Sequence, residues 1–271
     1  MNKINELSKA QKNEEKLLIA KVIDKVKFCN EKNKFQNTSF LDLAQQITVE
    51  RTLELKKIKS YELFGGHIES ERKMLILYPQ QHLDNIENLE DYKKSIYNEI
   101  MSVIRISLPK EQFDMYEHRT YLGALIKLGI KREKIGDISV KNNGADIIIS
   151  KEIESYIQNS IKNLTRFQKA SIEIVPIEKF EYMKIKKEIF NISVTSMRLD
   201  CIVAELARCS RKDANKIIEQ ERVFVNFKEE LISSKKIQPN TYITIRGKGR
   251  FKIREINGET RSGRLTLEVE K

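Results

Sequence analysis

The chain has no tryptophan and, in 271 residues, only four prolines, three cysteines, three histidines and ten glycines. Cys29, Cys201 and Cys209 form no C-x-x-C pair, which argues against a disulfide framework and against zinc-type spacing. His67, His82 and His118 stand too far apart in sequence to change that, so no metal and no cofactor is expected. No run approaches the roughly 18 apolar residues of a membrane span. The opening MNKINELSKAQKNEEK also lacks the apolar stretch of a signal peptide. A cytoplasmic protein with no membrane partner is expected. With so little glycine and proline, domain boundaries have to be read from changes in hydrophobic period.

Charge is what the chain has in quantity. Fifty Lys and Arg against 39 Asp and Glu leave a formal charge of +11. Such an excess favours a polyanionic partner, although a solvated lysine-rich surface gives the same total. Location separates the two. Between Met197 and Arg254, 14 Lys and Arg face 7 Asp and Glu, a net of +7 in 58 residues.

The periods divide the chain into three parts. Residues 1–70 read as helical: Ile19, Ile23 and Val26 share a face, and an S-x-x-D pair, Ser39 and Asp42, starts a second helix running towards Lys59. Residues 71–182 mix strands and helices. Lys73–Tyr78 and Met101–Leu108 are apolar runs closed by prolines, and Tyr121–Leu128 is helical. Asn142-Asn143-Gly144 joins Ile135–Lys141 to Ala145–Ser150 as a hairpin, followed by a helix at Glu152–Leu164 and a strand at Ile172–Ile177. That order suggests a ferredoxin-like or RNA-recognition-like α+β domain. Residues 190–271 form a small α+β module. Leu199, Ile202, Val203 and Leu206 make one helical stripe, Ser210 and Asp213 cap a second helix, and a period of two follows at Val223/Val225, Ile243/Ile245 and Phe251/Ile253.

Within this module the cations are placed unlike random surface charge. Arg211 and Lys212 occupy the first turn of the second helix, where they oppose the helix dipole unless an anion sits there. Lys216 lies one turn further on. Arg250, Lys252 and Arg254 alternate with Phe251 and Ile253, and Arg246 and Lys248 reach the same end beside Gly247 and Gly249. One RNA-binding face comprising Arg198, Arg211, Lys212, Lys216, Arg222, Arg246, Lys248, Arg250 and Lys252 is expected. His118, Arg119, Lys131 and Arg132 form a second cluster near Asp137, read as a second RNA contact. Surface or interdomain packing is the alternative there, and catalysis is disfavoured because no nucleophile accompanies them.

Arg198-Leu199-Asp200, Ser210-Arg211-Lys212-Asp213-Ala214 and Val223-Phe224-Val225-Asn226 resemble the RNA-binding domain named after ribosomal protein S-four, the alpha-L motif. Two positions depart from it: Gln220-Glu221-Arg222 lacks the usual glycine, and Asn240-Thr241 replaces Gly-Asp. Gly65-Gly66, Glu71-Arg72, His118–Leu125, Leu128-Gly129-Ile130 with Arg132, Lys134–Ile138 and Arg246–Phe251 are similar to the YlmH family, which often has aspartate where Thr120 stands. That resemblance implies a non-enzymatic protein binding rRNA on the large ribosomal subunit, with peptidyl-tRNA as a further partner. It also implies a role in rescuing stalled subunits; a monomer is expected. The rivals are an RNA-modifying enzyme and a cell-division-linked or membrane-surface scaffold. Thr266 after Gly263-Arg264-Leu265 lacks the aspartate a pseudouridine synthase needs, and the apolar face of the basic helix is required by the core.

Overall fold

A computed structural model describes residues 2–79, 88–184 and 188–271, the side chains of residues 2–12 excepted. The chain divides into two compact units, Ser8–Lys184 and a carboxy-terminal one built on Ile185–Lys271. Both are mixed α+β. No helix among the described residues is long and apolar enough to cross a membrane.

The first unit is a stack of layers. Helix α1 (Asn2–Lys32) and helix α2 (Leu43–Leu55) form the outermost layer. Beneath them, β1 (Gln36–Asn37), β2 (Tyr61–Phe64) and β3 (Met74–Leu77) make an antiparallel sheet in the order β1-β3-β2. Alternation along β3 sends Leu75 and Leu77 towards Val22, Cys29, Val49 and Leu53 of the helices, and Met74 and Ile76 the other way. The buried stripe of α1 is Leu18, Val22, Val26 and Cys29, rotated from the Ile19/Ile23 face expected, because two apolar stripes adjoin on this helix and the sheet selects one. The second helix begins a turn later than expected. Asp42 is its N-cap, its Oδ1 accepting from the Gln45 amide (2.9 Å) while Gln45 Oε1 accepts from the Asp42 amide (2.9 Å). The Ser39 hydroxyl instead accepts from Lys134 Nζ (3.2 Å).

After α3 (Leu89–Ile100) come β4 (Met101–Ser107), α4 (His118–Lys127), β5 (Ile135–Lys141), β6 (Gly144–Ser150), α5 (Glu154–Ser160) and β7 (Ser171–Val175). From β4 onward this is βαββαβ, and the antiparallel sheet order β5-β6-β4-β7 is the ferredoxin-like arrangement. Ile104, Ile106, Ile147 and Ile149 face Tyr121, Leu125 and Ile157 of α4 and α5. The opposite face is covered as well. Val103, Ile148 and Val175 pack on Phe40, Met74, Ile76, Ile96 and Ile100. Its far end is closed by Asp146, fully buried, which takes two hydrogen bonds from Arg105 (3.0 and 2.7 Å), an ion pair from Lys141 (2.8 Å) and the Glu181 amide (3.0 Å). Strand β6 is therefore buried at every residue, as its near-continuous apolar run requires. The three-stranded sheet spans the expected boundary at residue 70, and its strands β1 and β2 lie in a part that reads as helical.

In the second unit, α6 (Leu199–Ala207) and α7 (Arg211–Glu219) lie on one face of a six-stranded antiparallel sheet. Its strands are β8 (Ile189–Val194), β9 (Val223–Val225), β10 (Lys228–Glu229), β11 (Thr241–Ile245), β12 (Gly249–Glu259) and β13 (Leu265–Glu270), ordered β10-β9-β11-β12-β13-β8. Val223, Val225, Ile243, Ile245, Phe251, Ile253, Leu267 and Val269 point into the core with Ile202, Val203, Leu206, Ala214 and Ile218. Strands β8 and β13 enlarge the module beyond the elements read from sequence. The two departures from the alpha-L pattern, Glu221 and Asn240, both adopt the left-handed backbone that glycine favours (φ +61° and +62°).

Candidate nucleic-acid interface

The basic residues of the second unit fall into two layers. In the helical layer, Arg198 is the N-cap of α6 and Arg211 opens α7, and both guanidiniums converge on Asp200. Arg198 donates through Nε and Nη2 (3.1 and 2.9 Å) and Arg211 likewise (3.1 and 2.9 Å). Asp200 is almost fully buried and also accepts from the Cys201 amide (2.9 Å). Burial raises its pKa, but the two arginines outweigh that and hold it at about 2. The Arg211 charge at the start of α7 is thus met by a carboxylate of the neighbouring helix, while Ser210 caps α7 itself by accepting from the Asp213 amide (3.1 Å). The first amides of α6 are occupied too, Leu199 donating to the Lys235 carbonyl (2.9 Å) and Asp200 to that of Ser233 (3.0 Å). Asp200 fixes two arginines that remain 39% and 53% exposed, beside the exposed Lys212 and Lys216, the last paired with Asp213 (3.1 Å). Four of the expected residues stand together here.

The others lie elsewhere in the module. Arg222 donates to the Arg246 carbonyl (3.0 Å) and braces the β11–β12 turn, from which Lys248 projects. Because Phe251 and Ile253 face the core, Arg250 and Lys252 stand on the sheet face turned away from the helices. The expected single row is therefore divided between two faces, because alternation along β12 sends its cations opposite to the helices that its apolar residues hold. On that outer face the register aligns Phe224, Thr244 and Arg250, with Tyr242 beside Lys252. Arg246 lies over the Phe224 ring (4.8 Å), Arg250 over Phe227 (5.0 Å) and Lys252 over Tyr242 (5.6 Å). Phe227 also packs on Tyr242, ring centroids 5.2 Å apart. These aromatics were missed in the sequence, although Phe224 and Tyr242 alternate with core residues.

In the first unit, the segments similar to the YlmH family converge on Asp137. The loop after β2 needs glycine, since a Cβ at Gly65 would lie 2.1 Å from the Arg72 carbonyl oxygen, and Gly66 has φ +100°. That turn delivers His67, whose Nε2 lies 3.1 Å from Asp137 Oδ2, and the amides of Glu71 (2.8 Å) and Arg72 (3.1 Å), which donate to the same carboxylate. Phe180 and Tyr182 stack on the His67 ring (5.1 and 4.3 Å). The histidine that meets Asp137 is His67, although only His118 was read with it; the adjoining Gly65-Gly66 was the available signal. Arg132 donates to the carbonyls of Ile135 (2.6 Å) and Gly136 (3.3 Å), and desolvation with the nearby Arg72 charge lowers its pKa to about 10. Desolvation, then Arg132, also lowers the His118 imidazole. Arg119, paired with Glu117 (3.1 Å), and Lys131 are the exposed cations here. Among the described residues there is no cluster of three His, Cys, Asp or Glu suited to a metal, and His82 lies outside them.

Comparison with known proteins adds to this geometry. Residues 96–181, from the end of α3 to the segment beyond β7, match the family model described as the putative RNA-binding domain in YlmH. Among curated proteins, the ribosome-associated protein quality control protein P2 of Bacillus subtilis (strain 168) is 27% identical over 262 residues, covering 95% of this chain and 96% of that one. Among solved structures, the cell division protein ylmH from Streptococcus pneumoniae aligns with 62% of this chain and 95% of its own, at 21% identity and a TM-score of 0.44.

Proposed function

Starting from a YlmH-type RNA-binding domain at residues 96–181, we propose that this chain is a ribosome-associated RNA-binding protein without catalytic activity. It binds rRNA of the large subunit, with peptidyl-tRNA as a second ligand, and acts in the cytoplasm as a monomer in ribosome quality control. The alpha-L-type module grips the phosphate backbone through Arg198, Arg211, Lys212 and Lys216. The observation that carries this reading is Asp200, which holds two half-exposed arginines side by side at adjoining helix starts. Held by Asp200 through their Nε and Nη2 edges, the two guanidiniums turn their Nη1 ends to the phosphates of a folded RNA, which proteins read largely by shape and backbone. Exposed Arg119 and Lys131 supply a further contact from the first unit.

An enzymatic reading has less support. The nearest approach to an acid–base pair is His67 with Asp137, but both carboxylate oxygens of Asp137 accept backbone amides and the imidazole is stacked under two rings. That arrangement fixes a loop, and the adjoining Ser70 hydroxyl donates to the His67 carbonyl (2.7 Å) and accepts from its amide (3.1 Å), a turn contact instead of a pairing with the imidazole. Two measurements test the proposal. Reversing charge with Arg211→Glu and Lys212→Glu is expected to weaken binding to a structured rRNA fragment and flatten its salt dependence while the circular dichroism spectrum is kept; unchanged affinity overturns the placement. In gradient sedimentation after induced stalling, the protein is expected with large subunits. Recovery only in the top fractions overturns the ribosomal reading.

A further inference from the structure

We infer that the outer face of the six-stranded sheet is a second RNA surface, one that stacks unpaired bases on Phe224, Phe227 and Tyr242 and holds the adjoining phosphates with Arg246, Arg250 and Lys252. The inference rests on the RNA-binding reading above and adds a ligand class to it. Three observations support it.

The first is chemical. Three cations on this face, Arg246, Arg250 and Lys252, each lie over an aromatic ring, while Arg254 beyond them pairs with Glu268 (2.9 Å); the three rings are only half-buried although none of them belongs to the core. A surface that takes phosphates alone has no need of flat apolar rings. Unpaired bases do, because every base has a π-face and stacks on aromatic or guanidinium planes. A duplex keeps its base faces to itself.

The second is positional. The rings and cations share one sheet face, set by the pairings Tyr242–Lys252, Thr244–Arg250 and Thr244–Phe224, and the helices cover the other. This face is separate from the one presenting Arg198 and Arg211, so one module offers a duplex-gripping side and a base-stacking side.

The third is backbone strain. Val225 pairs with Lys228, leaving Asn226 and Phe227 as a two-residue turn at φ +47° and +66°. A turn of that kind favours Asn-Gly, and Asn226 fits it, its side chain accepting from the Tyr242 amide (3.0 Å). A phenylalanine at the second position is strained where glycine would not be, and its ring is carried onto the outer face beside Tyr242 and Arg250.

The test uses the full-length protein, a labelled oligouridine as unpaired probe and a blunt-ended duplex RNA as paired probe, with Phe227→Gly and Tyr242→Thr as variants. Phe227→Gly is expected to keep or raise the melting temperature, lose about tenfold in oligouridine affinity and leave duplex affinity unchanged. Tyr242→Thr, which preserves strand preference, is expected to do the same to the two affinities, and it decides the matter if Phe227→Gly melts lower. Unchanged oligouridine binding in folded variants, or an equal loss for both probes, overturns the inference. A wild-type protein that binds duplex but not oligouridine overturns it and leaves the proposed function standing; one that binds neither overturns both.

Discussion

The two larger sheets of this molecule each carry helices on one face and differ in the fate of the other. The ferredoxin-like sheet of the first unit has the topology whose open face reads RNA in RNA-recognition domains. Here that face is closed by the three-stranded sheet, by α3 and by the Asp146 ion pairs. The six-stranded sheet of the second unit has no such topology, yet its outer face is open and carries rings interleaved with cations. Topology therefore does not say which sheet face stays available to a partner. What covers a sheet does, and in the first unit exposed cations lie on helices and loops, as at Lys27, Arg119 and Lys131, instead of on strands.

The contrast can be broken most severely by placing one charge in each sheet. Ile148→Lys buries an unpaired ammonium between two packed layers and is expected to cost more than about 4 kcal/mol, enough to unfold the first unit, whereas Tyr242→Lys on the open face costs about 1 kcal/mol or less. Urea unfolding followed by circular dichroism measures both. Next in size are the two buried carboxylates. Asp146→Asn leaves Arg105 and Lys141 with the more exposed Glu181 as their remaining carboxylate and is expected to destabilise by about 2–4 kcal/mol. Asp200→Asn releases arginines that water already reaches, so about 1–3 kcal/mol is expected, together with weaker RNA binding.

Acid sharpens the same distinction. The folded pKa of Asp200, about 2, lies below the ordinary carboxylate value near 4. Its stabilisation is therefore complete above about pH 4 and is lost as pH falls from about 4 to about 2. An acid titration of wild type and Asp200→Asn should show their stabilities converging through that window. Parallel curves would contradict the role given to the two arginines. The smallest expected effect is that of Lys212→Gln, which removes one phosphate contact and lowers the slope of log affinity against log salt by about one.

Much of the second unit was legible in its residues. The stripe from Leu199 to Leu206, the Ser210 cap and the alternation of β9, β11 and β12 each follow from local period, and the structure keeps them. The Asn-Gly hairpin between β5 and β6 is local in the same way. Long-range partners were not legible. No period says that the second face of β4 and β6 meets Phe40 and Ile76, that His67 reaches Asp137 across 70 positions, or that Asp200 captures Arg211 from the next helix. The basic row was read by residue type, and alternation, which the same strand displays, divides it between two sides. Phe227 stayed invisible because a strained turn residue looks like any other aromatic until its φ is known.

The complete burial of β6 has a consequence for cutting and labelling the protein. Its amides lie at the middle of the four-stranded sheet with side-chain layers above and below, so in deuterium they should exchange among the last, through opening of the whole first unit. A fragment begun at residue 71 would strip Phe40, Val49 and Leu53 from that stack and bare the apolar surface they cover, a recipe for aggregation.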